Sequence, residues 1–385
     1  MARKKTWVGR HTDPYCAILS GMNKNDILII HGTHYREMAK MILEAADLAS
    51  RIGDTGARIG IKPNLVNASA PSYGAVTHPE LAAGAIQYLQ EHGFSDIVIM
   101  EGSWVGEKTD RAFHASGFEH LCEAYQVPFL DTQQDSDTTY DAAGMPIAVC
   151  DAAMNVDFMI NMPVVKGHAQ TRMTCALKNN KGVIPNREKR RFHTIGLHEP
   201  IARLNTVVRN DFILVDNICG DLDFEEGGNP VTMNRVLGFL DPVLCDAFVC
   251  ECMGFSPQDV AYITRAEELG VGSADLASAN RILLNEPMEG LSTFPQTRRI
   301  EKLAAYAEEK EACSACYGSL IHALGRLQEE GLLGKKTPTI KIGQGFRGKD
   351  GDIGVGKCTD CFEKNCEGCP PSSSRIREFL KKVLC

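Results

Sequence analysis

The chain has 385 residues, 44% of them hydrophobic, with 49 acidic against 41 basic side chains and a formal net charge of −8. That length leaves room for about two domains, and the acidic balance argues against a general nucleic-acid binder, so any anion site has to be local. Nowhere does the chain reach the roughly 18 consecutive apolar residues of a membrane-spanning helix.

The start, from Met1 to Trp7, is basic but runs into Arg10, His11 and Asp13 where an export signal needs an apolar stretch. The 15 cysteines, an odd number in a long chain of ordinary composition, point to reduced thiols rather than a secreted disulfide scaffold. The expectation is a cytoplasmic protein with neither nucleic acid nor membrane as partner.

In chain order, residues 1–54 form an N-terminal segment and an α/β domain follows over 55–298. Residues 58–62 predict a short strand, 78–92 an amphipathic helix and 96–100 the next strand, which together make one βαβ unit. A helix is expected over 111–125 and strands over 145–149 and 157–161, the last an almost continuous apolar run suited to a buried parallel strand. Helices near 171–179 and 200–208, a strand at 212–216 and a helix at 243–253 continue the alternation. The acidic stretch 221–230 reads as an excursion at a strand's carboxyl end.

Polar residues gather at the predicted strand ends: Lys62 and Asn64, Glu101 to Ser103, then Lys166 and His168. Carboxyl ends of parallel strands open on one edge, where α/β proteins bind ligands. The following segment adds Lys178, Asn179 and Lys181, and the combination resembles an anion cradle for carboxylate or phosphate. We therefore assign Lys166, His168 and Lys178 as candidate catalytic groups, with Lys62, Asn64, His78, Asn179 and His193 as candidate ligands of a small anionic substrate. Each has a plainer reading: Lys62 as a solvated charge, Asn64 as a turn residue, His78 as a cap. His193 and His198 could join His168 around a second metal, and Asp216 or Asp241 could orient a histidine or merely cap a helix.

The tail, 299–385, is a Cys-rich segment. Residues 299–310 read as helix, 319–327 as a helix with an apolar stripe at Leu320, Ile321, Leu324 and Leu327, 337–342 as a strand, 343–356 as a Gly-rich loop and 373–384 as a final helix. The stripe calls for docking on the main sheet. Gly343, Gly345 and Gly348 match a dinucleotide-binding spacing, but the residues after them are a poor helix sequence, so no helix N-terminus is available for pyrophosphate. Cys313, Cys316, Cys358, Cys361, Cys366 and Cys369 form three pairs, each two residues apart, and such pairs read as a metal site. A 4Fe-4S cluster is favoured by the Cys369-Pro370 ending, and zinc is the alternative. The expected ligands are Cys313, Cys316, Cys358 and Cys369, with Cys361 and Cys366 as extras; the competing set is the last four cysteines alone.

Ile61 to Val66, Thr77 to Pro79, Lys166 to His168, Ala176 to Asn179 with Gly182, His193, Asp216, Asp241 and Asp246 together resemble a prokaryotic family grouped as domain of unknown function 362, over roughly residues 55–255. The resemblance implies an iron–sulfur segment, which many members carry, and supplies no reaction. The chain departs from the usual two-cluster insert, because 41 residues separate Cys316 from Cys358.

The resulting expectation is a mostly parallel sheet flanked by helices, with the Cys-rich segment docked on it. Its function is expected to be that of an iron–sulfur oxidoreductase served by an electron-donor protein. A metal-assisted isomerase or hydrolase with a structural Cys-metal site, and an electron carrier or cluster-delivery protein, are the alternatives.

Overall fold

A computed structural model describes residues 21–287, 299–334 and 336–384, so the basic start of the chain lies outside the described residues. In chain order the strands are β1 (Asp26–His31), β2 (Ile59–Lys62), β3 (Ile97–Glu101), β4 (Phe129–Asp131), β5 (Asp137–Ala142), β6 (Met145–Cys150), β7 (Phe158–Asn161), β8 (Lys166–His168), β9 (Arg172–Thr174), β10 (Phe212–Asp221), β11 (Pro230–Phe239) and β12 (Asn280–Leu283). Eight of them build one sheet in the order β12-β1-β11-β10-β7-β2-β3-β4, and only β11 runs against its neighbours.

β1, β2, β3 and β7 are buried at every position, as strands covered on both faces must be. Their side chains alternate between two cores. Ile59, Ile61, Ile97 and Ile99 join the layer of the helices Tyr35–Ala45 and Pro79–Glu91. Val98, Met100 and Met159 join the layer of His198–Leu204, Pro242–Cys252 and Ala261–Glu268.

Several expected elements take another form. The helix over 111–125 is two helices, Thr109–Ala115 and Phe118–Tyr125, because Gly117 between them sits at φ 85°, in the left-handed region that glycine enters freely. The strand at 145–149 pairs with β5 in a hairpin apart from the main sheet. Within 171–179 only Ala176–Asn179 is helical; β9 pairs with β8 instead, as the β-branched Thr171 and Thr174 favour. β1 and the helix Tyr35–Ala45, for which the sequence shows no decisive pattern, lie within the sheet and against it.

The acidic excursion turns β10 back into β11. Asp221 holds it in shape by accepting the N–H groups of Asp223, Phe224 and Asn229, each at 2.9 Å.

In the tail, the helix Arg299–Ala304 gives way to β13 (Ala307–Glu309), which pairs in parallel with β14 (Ile340–Ile342). β15 (Ile353–Val355), formed within the expected loop, and β16 (Lys364–Cys366) complete a second, four-stranded parallel sheet. The stripe of Leu320, Ile321, Leu324 and Leu327 is covered largely by these strands and by the helix Ser373–Leu384, with Phe224 inserted from the main domain. Docking nevertheless occurs. Arg326 donates to Asn229 Oδ1 at 3.2 Å and to the Gly227 carbonyl at 3.3 Å, and Gln170 donates to the Ala312 carbonyl at 3.3 Å.

Candidate functional site

Lys62, Glu101 and Asn161 each close a strand, β2, β3 and β7, on the same sheet edge. Lys62 and Glu101 form an ion pair with side chains only 1% and 3% exposed. Burial pushes Lys62 down and Glu101 up, and each is opposed by the charge of the other. Gly182 is pressed onto this pair, since a Cβ there would fall on the Glu101 carboxylate and Lys62 Nζ.

Beside the pair runs a chain of amides. Asn64 accepts from Lys166 Nζ at 2.9 Å and donates to Asn179 at 2.8 Å, and Asn179 donates to Asn161 at 2.7 Å. Lys166 Nζ also donates to the Ala75 carbonyl at 2.7 Å, and burial pulls it down to about 7.

Above this floor opens a cleft whose lining includes Asn64, His168, Lys178, Asn179, His193 and Glu225. The β8–β9 hairpin aims His168 at the loop from the end of β10. His168 Nδ1 accepts the N–H groups of Gln170 at 3.1 Å and Thr171 at 3.0 Å, so it bears no proton, and Nε2 donates to Glu225 at 3.2 Å. Both ring nitrogens are thus engaged. Burial and then Lys178 push His168 down to about 4. Glu225 also takes the Lys178 ammonium; although burial alone would raise it, Lys178 and His168 hold it well below the usual carboxylate range.

The cleft brings Lys181, already part of the expected cradle, together with Lys189 and Glu226, which were not singled out from sequence. Lys181 Nζ lies 3.3 Å from His193 Nε2, and burial with the charge of Lys178 brings Lys181 to about 7. Lys189 donates to the carbonyls of Gly102 and Ser103 at 2.9 Å each, and burial lowers it to about 8. Burial and the charge of Glu225 push Glu226 up to about 7, and it faces His322 of the tail at 3.5 Å. The sequence signal for both glutamates was their place in the acidic excursion.

Other expected residues stand elsewhere. Lys62 and Lys166 lie under the floor, held by protein oxygens. His78 pairs with the fully buried Asp216 at 2.9 Å; burial lowers it, but the Asp216 charge and hydrogen bond outweigh that and raise it overall. His198 accepts the Tyr262 N–H at 3.1 Å, away from His168 and His193. Asp241 caps the helix Pro242–Cys252 by accepting from Val243 and Leu244.

The tail gathers Cys313, Cys316, Cys358 and Cys369 closely enough that their thiolates would repel: burial, then Cys313, Cys369 and Cys358, push Cys316 up to about 12. Such a group holds four thiolates only when a metal takes up their charge. Among the described residues no three of these sulfurs lie mutually within 4.8 Å. Gln344 approaches Cys313 Sγ at 3.7 Å and Arg347 approaches Cys358 Sγ at 3.5 Å, both able to donate to sulfur. Cys361 is exposed beside Asp360, and Cys366 is buried in the tail core.

The four thiols adjoin the cleft. Gly318, two residues after Cys316 on the helix Ser314–Glu329, lines the cleft, and Thr194, next to His193, stands close to Cys313.

Residues 59–251 match the family model described as Domain of unknown function (DUF362). The chain belongs to this family. The DUF362 match runs from β2 into the helix Pro242–Cys252 and contains the cleft residues from Asn64 to Glu226, whereas the four gathered cysteines lie outside it. Over 227 residues, 56% of this chain and 69% of the relative, the chain is 25% identical to the thylakoid-associated protein sll1697 of Synechocystis sp.. Among solved structures it is similar to the lactate racemase apoprotein from Thermoanaerobacterium thermosaccharolyticum, at 13% identity and a TM-score of 0.39, over 62% of this chain and 58% of that one. Among the described residues of this DUF362 protein no helix is long and apolar enough to cross a membrane.

Proposed function

We propose that the protein is an oxidoreductase with a 4Fe-4S cluster on Cys313, Cys316, Cys358 and Cys369, acting on a small anionic substrate in the adjoining cleft. The observation that carries this reading is the gathering of four thiols against the cleft wall, with Gly318 and Thr194 as the links. The cluster, when bound, supplies one-electron transfer. The chain's own residues bind and protonate. Lys178, held by Glu225, presents positive charge, while Asn64 and Asn179 offer amides braced from behind. Glu226, at about 7, can hold or release a proton near neutral pH.

His168 acts as a positioning residue, because both ring nitrogens are engaged and its donated hydrogen bond fixes Glu225. Trp104 and Phe224 line the cleft and exclude water. The exposed cysteine edge at Cys369 is where an electron-donor protein would approach, and the odd number of 15 cysteines in a long chain of ordinary composition supports a cytoplasmic location as part of the same reading.

Purification without oxygen tests the reading. The expected protein is brown, with iron and acid-labile sulfide near four each per chain as a cubane requires. Cys313→Ala and Cys369→Ala should lose both, and Cys361→Ala should keep them. Stoichiometric zinc without sulfide would overturn the redox reading in favour of a structural ion.

A further inference from the structure

Three lysines line the cleft, and two of them are already engaged. Lys178 is paired with Glu225, and Lys189 is held by two backbone carbonyls. Two of the lining acids are engaged as well, Glu101 with Lys62 and Glu225 with Lys178 and His168, while Glu226 stands 3.5 Å from the neutral ring of His322. Lys181 differs, since its Nζ meets the neutral ring of His193 and pairs with no carboxylate among the described residues. A second observation is independent of it. Thr174, 1% exposed, lines the same cleft from the end of β9, and its buried hydroxyl has no hydrogen-bond partner among the described residues. Buried hydroxyls are nearly always paired, so a missing partner marks a place for an occupant.

Resting on the small-anion reading of the cleft, we propose that Lys181 Nζ and the Thr174 hydroxyl, with His193 orienting the ammonium, form the subsite for the carboxylate of a small monocarboxylic acid. One ammonium and one hydroxyl supply the two donors that a single carboxylate accepts. A phosphate dianion would bring a second charge toward Glu225, an acceptor-only carboxylate in the same cleft. Trp104, Val105 and Phe224 supply an apolar wall for the remainder of the acid. Burial and Lys178 keep Lys181 near neutrality at about 7, so an arriving carboxylate favours the ammonium and draws in a proton as it binds.

The test is the affinity of full-length, anaerobically isolated protein for 4-fluorobenzoate, read by fluorine NMR with inorganic phosphate as competitor. Saturable binding is expected, undisturbed by equimolar phosphate. Lys181→Gln should weaken it by about tenfold, the scale of one lost charge-assisted hydrogen bond, and Thr174→Val by several-fold. Lys181→Arg should retain most of the affinity, and Lys349→Gln on the exposed tail should change nothing. Equal affinity in Lys181→Gln and the unaltered protein, displacement of the probe by phosphate, or no saturable binding would each overturn the subsite. Thr174→Val preserves volume and decides the matter alone should the lysine variant fail to fold. The readout needs no electron transfer: a zinc protein without sulfide that still binds the probe refutes the redox reading and leaves the subsite standing.

Discussion

Replacing Lys62 with Met would leave the Glu101 carboxylate, 3% exposed, with the Gly102 N–H at 2.9 Å as its remaining direct hydrogen bond. Breaking a buried ion pair from one side costs about 3–5 kcal/mol at neutral pH, because the surviving charge has lost its partner without regaining water. Glu101 can reduce that cost by taking a proton, and the direction of its shift sets the pH dependence. Burial raises its folded value above the unfolded one, near 4.5, so the folded variant holds this proton more tightly than the unfolded chain does.

The penalty is therefore absent below the unfolded value, grows as pH rises through it, and levels off above the folded value. Urea unfolding of Lys62→Met and the unaltered protein at pH 5 and pH 8, followed by circular dichroism, should show a deficit that widens with pH. The double variant Lys62→Met with Glu101→Leu removes both charges and should recover about 2 kcal/mol or more relative to the sum of the single changes. A deficit independent of pH, or a double variant equal to that sum, would refute the coupling of the pair and with it the dry floor beneath the cleft.

Carboxylate binding should weaken as pH rises through about 7, where the Lys181 ammonium loses its proton, and Lys181→Arg should move that limb to higher pH; constant affinity for 4-fluorobenzoate from pH 6 to 9 would contradict this. Phe224→Ala should cost about 3–5 kcal/mol, the usual price of an emptied phenyl site, and should speed amide exchange in the helix Ser314–Glu329 more than in β2 and β3. Loosening confined to the main sheet would show that Phe224 does not hold the tail.

Much of the fold was legible because buried parallel strands leave a local record. The apolar runs at β2, β3, β7 and the start of β10 are bounded by turn residues, and the helix Pro79–Glu91 carries its own periodicity. β9 was misread as helix because a three-residue strand has too few positions to show a period of two, and its pairing with β8 is a tertiary fact. The same limit hid β13 and β15, each three residues long.

The candidate site divides along the same line. Residue type and strand-end position were enough to mark Lys62, Asn64, Lys166, His168, Lys178 and Asn179, and cysteine spacing marked the six thiols. The sequence by itself thus determined the sheet, the edge on which chemistry gathers and the supply of ligands. Which lysine is buried under the floor and which faces the cleft depends on packing between segments about a hundred residues apart, as in the bond from Lys166 to Asn64. Glu225 meets His168 and Lys178 only because Asp221 folds the excursion back, and Cys313 reaches Cys358 and Cys369 only because the tail strands align. Tertiary structure alone decided these, since burial and the distance between charges are properties of the folded chain and set whether a given lysine or thiol is charged at all.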